Sequence, residues 1–429
     1  MRIKRIGVAT VFLVASACAV KLPRAQTKDP YQGIPAGYDF PADQSTLLRF
    51  RDTNDVIGMR RHAWMVFAGL TQPVATGEAL WETWYPGRET FAPTAPSPAR
   101  PRRIEHRFQV PRQFFGGQRV FALGNSVLSF TLFNLPAYSF IRNNLLYQPA
   151  QLKRLLDALP ADTPIAQREM APFSPDSVAL KTVWWIVKKN LKTPVPVWDG
   201  EPTGPNGQPA QRNRAYDYTQ FGRCALVDPL NHEVKPDETE ITDCNGKRVK
   251  AHVVTLDKFY RFPLDQNAIN TIDNPPPLPH VGDRNTIPEV GDYAVLVGMH
   301  CTTKEIPDWV WSTFWWHDKP DDGPFATDRP PAVTGVWRNY LMSVSYSMTT
   351  PLEPDGSPHI AFNPWLEGPF SDGVQSNCMT CHVRSVWPSI DEDRNKVRRG
   401  EPDPNDTLFK NGIKLDFIWS FAIESLELR

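Results

Sequence analysis

Tyr340, Met342, Val344, Tyr346 and Met348 alternate with Leu341, Ser343, Ser345 and Ser347. That is the period of two expected of a strand with one buried face. Four more runs rich in β-branched and aromatic residues read as strands: Thr182 to Val187, His252 to Leu256, Tyr293 to Met299 and Val310 to Trp316. Proline clusters at Pro275 to Pro277 and Pro330 to Pro331 separate them. Helical spacing appears earlier in the chain. Val56, Met59, His62, Ala63, Met65, Val66 and Leu70 make one apolar stripe from Asp55 to Thr71, with Asn54 as the expected N-cap. Leu152, Leu155, Leu156 and Leu159 make a second, from Gln148 to Leu159, stopped by Pro160. The pattern predicts an α+β fold with a large β component and no solenoid or propeller repeat.

Composition narrows the class. The chain has 429 residues, enough for two or three domains. Lys plus Arg and Asp plus Glu are 47 each, so the net charge is zero and nothing favours a nucleic-acid partner. The 43 prolines, each fixing φ and removing a donor, imply short elements and long loops. With 14 tryptophans, large aromatic side chains should fill the core.

Residues 1–19 have the order of a secretory signal peptide: basic Arg2, Lys4 and Arg5, then apolar Ile6 to Val14, then small residues. Ala15-Ser16-Ala17 and Ala17-Cys18-Ala19 both fit as cleavage sites, with Cys18 as the alternative lipid anchor. The apolar stretch is well short of the ~20 residues a spanning helix needs. The expected organisation is a signal peptide at 1–19, an extended lead-in at 20–50, a main α+β domain at 51–365 and a C-terminal segment at 366–429. An exported, periplasmic protein without a transmembrane segment in its mature form is expected.

The C-terminal segment carries the chemistry. Cys378-Met379-Thr380-Cys381-His382 is a C-x-x-C-H sequence, the attachment signature of c-type haem. Two thiols three residues apart reach two vinyl groups on one porphyrin edge, and the next residue meets the iron as proximal ligand. A thioredoxin-like pair would follow a strand in a βαβ unit, which is not predicted here. A zinc site needs two further ligands, for which His300 and Cys301 are the candidates. On these five residues the chain resembles the c-type cytochrome superfamily. The resemblance implies one covalent haem c held by Cys378 and Cys381, with His382 on the iron.

The rest departs from a small cytochrome c. Only 47 residues follow His382, and none is Met, His or Cys. The segment is therefore read as an attachment segment packed on the main domain, not a complete cytochrome c fold. Any His or Met on the iron's far side must come from upstream. His317, closing the run Trp309, Trp311, Phe314, Trp315, Trp316, is the leading candidate, followed by His300, Met342 and Met348. For each the plain alternative is a packed side chain. Cys224 and Cys244 are expected to pair in an oxidising compartment, leaving Cys301 free. Electron transfer with a redox partner protein is the expected function. The alternatives are a haem-dependent oxidoreductase, peroxidase- or oxygenase-like with an open distal site for a small-molecule substrate, and ligand sensing.

Overall fold

A computed structural model describes residues 33–94, 106, 108, 128–200, 221–231, 239–242, 248–272, 288–361, 363–367, 377–388, 401–406 and 409–424. Among these, an antiparallel seven-stranded sheet runs in the order Tyr85–Pro86, Leu128–Phe133, Val178–Val187, Tyr293–Thr303, Val310–Trp316, Tyr340–Ser345, with Arg261–Pro263 also pairing Tyr293–Thr303. The fold is α+β with a large β component, as the pattern predicts.

Paired residues point to the same side of a sheet, so the register fixes its two faces. Phe130, Thr182, Met299, Phe314 and Met342 form one row. This face receives the helix Val56–Leu70, whose Phe67 ring stacks on Phe314 with centroids 4.0 Å apart. Thr131, Lys181, His300, Thr313 and Ser343 form a polar row on the other face. Phe133, Ala179, Thr302, Trp311 and Ser345 run beside it on that same face. Both faces are covered, and every residue of Tyr340–Ser345 is buried. The expectation of one solvent-facing side on this strand is thus corrected. Its serines lie under further chain, and Ser343 Oγ meets His359 Nε2 at 2.7 Å.

The helix predicted from Asp55 runs over Val56–Leu70, but its cap is Asp55, whose carboxylate accepts from Gly58 N–H at 2.9 Å. Asn54 adopts φ 50° and accepts instead from Leu352 N–H at 2.8 Å. The extended lead-in is corrected as well, because Gln44–Asp52 is a helix capped by Asp43. The second predicted helix is Pro149–Asp157. Met342 is fully buried in the main core, and Met348 packs at the edge of a second core.

That second core joins the C-terminal segment to the polar-row face. Tyr85, Phe133, Tyr138, Phe173, Trp309 and Trp311 from the main domain meet Cys378, Met379, Leu415, Ile418 and Phe421. Within the segment, Val386–Trp387 pairs with Ile413–Lys414, and Met170 N–H donates to Lys414 O at 3.0 Å. The smaller sheet Thr193–Trp198, Gly222–Asp228, Arg248–Thr255, Thr239–Thr242 adds a second β unit. No helix among the described residues is long and apolar enough to cross a membrane. The predicted signal peptide with Cys18, and Cys244, lie outside the described residues.

Candidate cofactor site

Cys378–His382 is one short helical turn. Asn377 caps it, its side-chain oxygen accepting from Thr380 N–H at 3.2 Å. The Asn377 amide also donates to Ser347 O at 3.0 Å, tying the turn to the end of the last sheet strand. Helical residues three and four apart share a face, so Cys378, Cys381 and His382 project together. Both thiols are free, as is that of buried Cys301, whereas Cys224 is disulfide-bonded.

His382 Nδ1 lies 2.8 Å from the carbonyl oxygen of Phe417. A carbonyl only accepts, so Nδ1 carries the proton and Nε2 carries the lone pair. Among the described residues no hydrogen bond occupies Nε2. Burial pushes the imidazole pKa down to about 3, overcoming the hydrogen bond to Phe417, with His300 and Lys181 adding in the same direction. The ring is therefore neutral at pH 7, in the state a metal ligand needs. Trp311 lies against it, with ring centroids 4.3 Å apart.

The thiols are held protonated. Burial, and then the charge of Glu367, push Cys378 well above the ordinary range and Cys381 up to about 11. Cys378 Sγ is 3.5 Å from Ala361 O and 3.9 Å from His300 Nδ1. The other nitrogen of His300, Nε2, donates to Glu367 Oε1 at 2.6 Å, and Glu367 Oε2 accepts from Asn363 N–H at 2.5 Å. The imidazole of His300 from the main domain and the carboxylate of Glu367 from the start of the C-terminal segment thus face the motif.

The donor set fits a covalent haem c: two free thiols on one helical face and a neutral imidazole with one nitrogen open. Among the described residues, no group of three or more His, Cys, Asp or Glu forms a cluster for a bare metal ion.

The distal candidates separate. His300 is brought to the motif and His317 is not. His317 lies six residues beyond Trp311, about 20 Å along the strand at the usual rise. There its Nε2 donates to Asp199 at 3.1 Å, while its Nδ1 accepts from Lys319 N–H at 3.0 Å. Arg223 binds Asp199 and Asp318, and His252 Nδ1 meets Asp318 at 2.8 Å. His317 thus belongs to a polar seam joining the two sheets. The aromatic run divides likewise: Trp309 and Trp311 face the motif, while Phe314, Trp315 and Trp316 belong to the main core.

Sequence reasoning overlooked Glu367, Phe417, Lys304 and Asp416. The signal available for His300 was parity: with Trp311 opposite Thr302, His300 must share the Trp311 face. Compared with family models, characterised proteins and solved structures, the chain gave no match.

Proposed function

We propose that this protein carries one covalent haem c, attached through Cys378 and Cys381 with His382 as proximal iron ligand, and acts in electron transfer. The observation that carries the reading is the hydrogen bond from His382 Nδ1 to Phe417 O, which leaves Nε2 as the coordinating nitrogen. A bound haem supplies a one-electron iron couple, and the chain's residues hold and tune it. His382 keeps its tautomer through Phe417 and its orientation through Trp311. The short motif turn keeps both thiols beside the imidazole. The partner is a redox protein or, on the second reading below, a small-molecule substrate. The protein is exported to the periplasm, the mature chain starting after Ala17 or Ala19, with lipidation of Cys18 as the tethered alternative.

The contact of His300 with Cys378 favours a second reading, a haem-dependent oxidoreductase. Here His300, oriented by Glu367, holds or passes a proton beside the cofactor. Acid-acetone extraction tests the shared premise: haem should stay on the chain, and the mature mass should exceed the cleaved polypeptide by one haem. Freely extracted haem would overturn both readings. Reduced spectra with and without carbon monoxide separate them, since electron transfer with a filled iron leaves the spectrum unchanged.

A further inference from the structure

The carbonyl that orients His382 sits in an unusual turn. Leu415 to Ile418 closes with Ile418 N–H donating to Leu415 O at 3.0 Å. Its two central residues, Asp416 at φ 46° and Phe417 at φ 68°, are both left-handed. This is the type I′ geometry, which favours glycine, asparagine and aspartate and disfavours a bulky side chain such as that of Phe417. Asp416 suits such a position, but nothing local selects it for Phe417, so contacts from elsewhere must hold the turn.

Those contacts converge on Asp416. Lys304 Nζ reaches Asp416 Oδ1 at 2.5 Å, and Trp309 Nε1–H donates to the same oxygen at 3.3 Å. Phe173 N–H donates to Oδ2 at 3.0 Å. Lys304 is itself fixed, since its ammonium donates to Pro307 O at 2.5 Å and its backbone N–H to Ser177 O at 3.0 Å. Both side chains of the ion pair are nearly buried, at 6% and 10% exposure. Such a charge pair is costly to desolvate and weakly stabilising on balance, so its geometry is the more telling property.

We infer that Lys304 and Asp416 are positioning residues for the proximal ligand: the ion pair locks the Leu415–Ile418 turn so that Phe417 O is aimed at His382 Nδ1. The inference rests on the haem reading above and extends it to residues outside the motif. The lock belongs to the main domain, because Lys304, Trp309 and Phe173 all do. Docking of the C-terminal segment and the electron-donating strength of His382 are then one property. A firm hydrogen bond at Nδ1 makes the imidazole a stronger donor and favours the ferric state. A slack one favours the ferrous state.

Full-length, haem-loaded protein tests this with Asp416→Asn, Lys304→Met and Lys304→Arg. The first two should keep one covalent haem per chain, since the cysteines are untouched. Each should raise the ferrous-to-ferric ratio at a fixed applied potential about tenfold, a midpoint rise of about 59 mV for one electron. Lys304→Arg should restore most of the wild-type value. Deuterium uptake by residues 415–418 should rise in the same two variants. If Asp416→Asn does not accumulate, Trp309→Phe removes one donor only and should give a smaller rise, about twofold. Haem-loaded variants with an unchanged midpoint would overturn the lock. Wild-type protein lacking covalent haem would instead overturn the haem reading, so the two failures are distinguishable.

Discussion

The indole of Trp311 and the imidazole of His382 meet with ring centroids 4.3 Å apart and planes inclined by 50°. Trp311 is a central residue of the main sheet, so this contact joins the C-terminal segment to the rigid part of the molecule. Its neighbours Trp309, Phe173 and Phe421 continue the same apolar layer.

Trp311→Ala should therefore loosen the segment more than the sheet. Truncating a buried tryptophan costs about 3–5 kcal/mol. Most of that cost should appear as undocking of residues 377–388 and 409–424. Limited proteolysis and deuterium exchange should locate the new openings there, while exchange in Val178–Val187 stays protected. Uniform loss of protection through the sheet would show that Trp311 belongs to the main core instead.

Replacing both Cys378 and Cys381 by alanine should abolish covalent haem. The fold should survive, at a cost on the order of 1 kcal/mol for each small side chain removed. Mass spectrometry and far-UV circular dichroism read the two effects apart. Covalent haem persisting in the double variant would remove these cysteines from the attachment site.

Much of this architecture is legible in local pattern, and what is not depends on pairing across the sheet. Val310–Trp316 was readable to the residue because its β-branched and aromatic side chains are continuous. Thr193–Trp198 was not, because Pro194 and Pro196 argue against a strand. It survives by pairing with one neighbour, Gly222–Asp228. The motif Cys378 to His382 is visible because its five residues are contiguous in the chain. His317 looked favourable because it follows an aromatic run, yet a strand carries its two ends far apart. The roles of His300, Glu367 and Phe417 need the register of three strands and one turn, and no local signal encodes that.

The seam between the two sheets should make stability acid-sensitive. Burial works to raise Asp199 and Asp318, but hydrogen bonds and charges from Arg223, with His317 on Asp199 and His252 on Asp318, outweigh it. Both carboxyls are held below their ordinary range. A depressed folded pKa contributes stability that is complete above the unfolded value, near 4, and is lost as pH falls below it. Arg223→Met leaves the fully buried Asp318 carboxylate without its main partner. It should cost about 3 kcal/mol at pH 7 and flatten the decline below pH 4. Urea unfolding at pH 7 and pH 3 measures both, and equal losses at the two pH values would contradict the linkage.

His300 and His317 offer the sharpest contrast, because one lies on a sheet strand, the other just past the end of the neighbouring strand, and their surroundings are opposite. His300 has one nitrogen on Glu367 and the other 3.9 Å from the Cys378 sulfur. His317 has both nitrogens engaged at the far seam. Removing His300 leaves Glu367 facing the motif without its imidazole and opens space beside Cys378. On the haem reading, His300→Ala should alter the optical spectrum by creating a carbon monoxide site where the iron is filled, and should lower peroxidase activity where it is open. His317→Ala should leave the spectrum unchanged. It strips a buried hydrogen-bond partner from Asp199 and the Lys319 amide, so it should lower unfolding stability by about 1–3 kcal/mol. The two variants thus exchange phenotypes, one spectroscopic and one thermodynamic. A spin-state change in His317→Ala with an unaltered His300→Ala spectrum would reverse the assignment of the distal side.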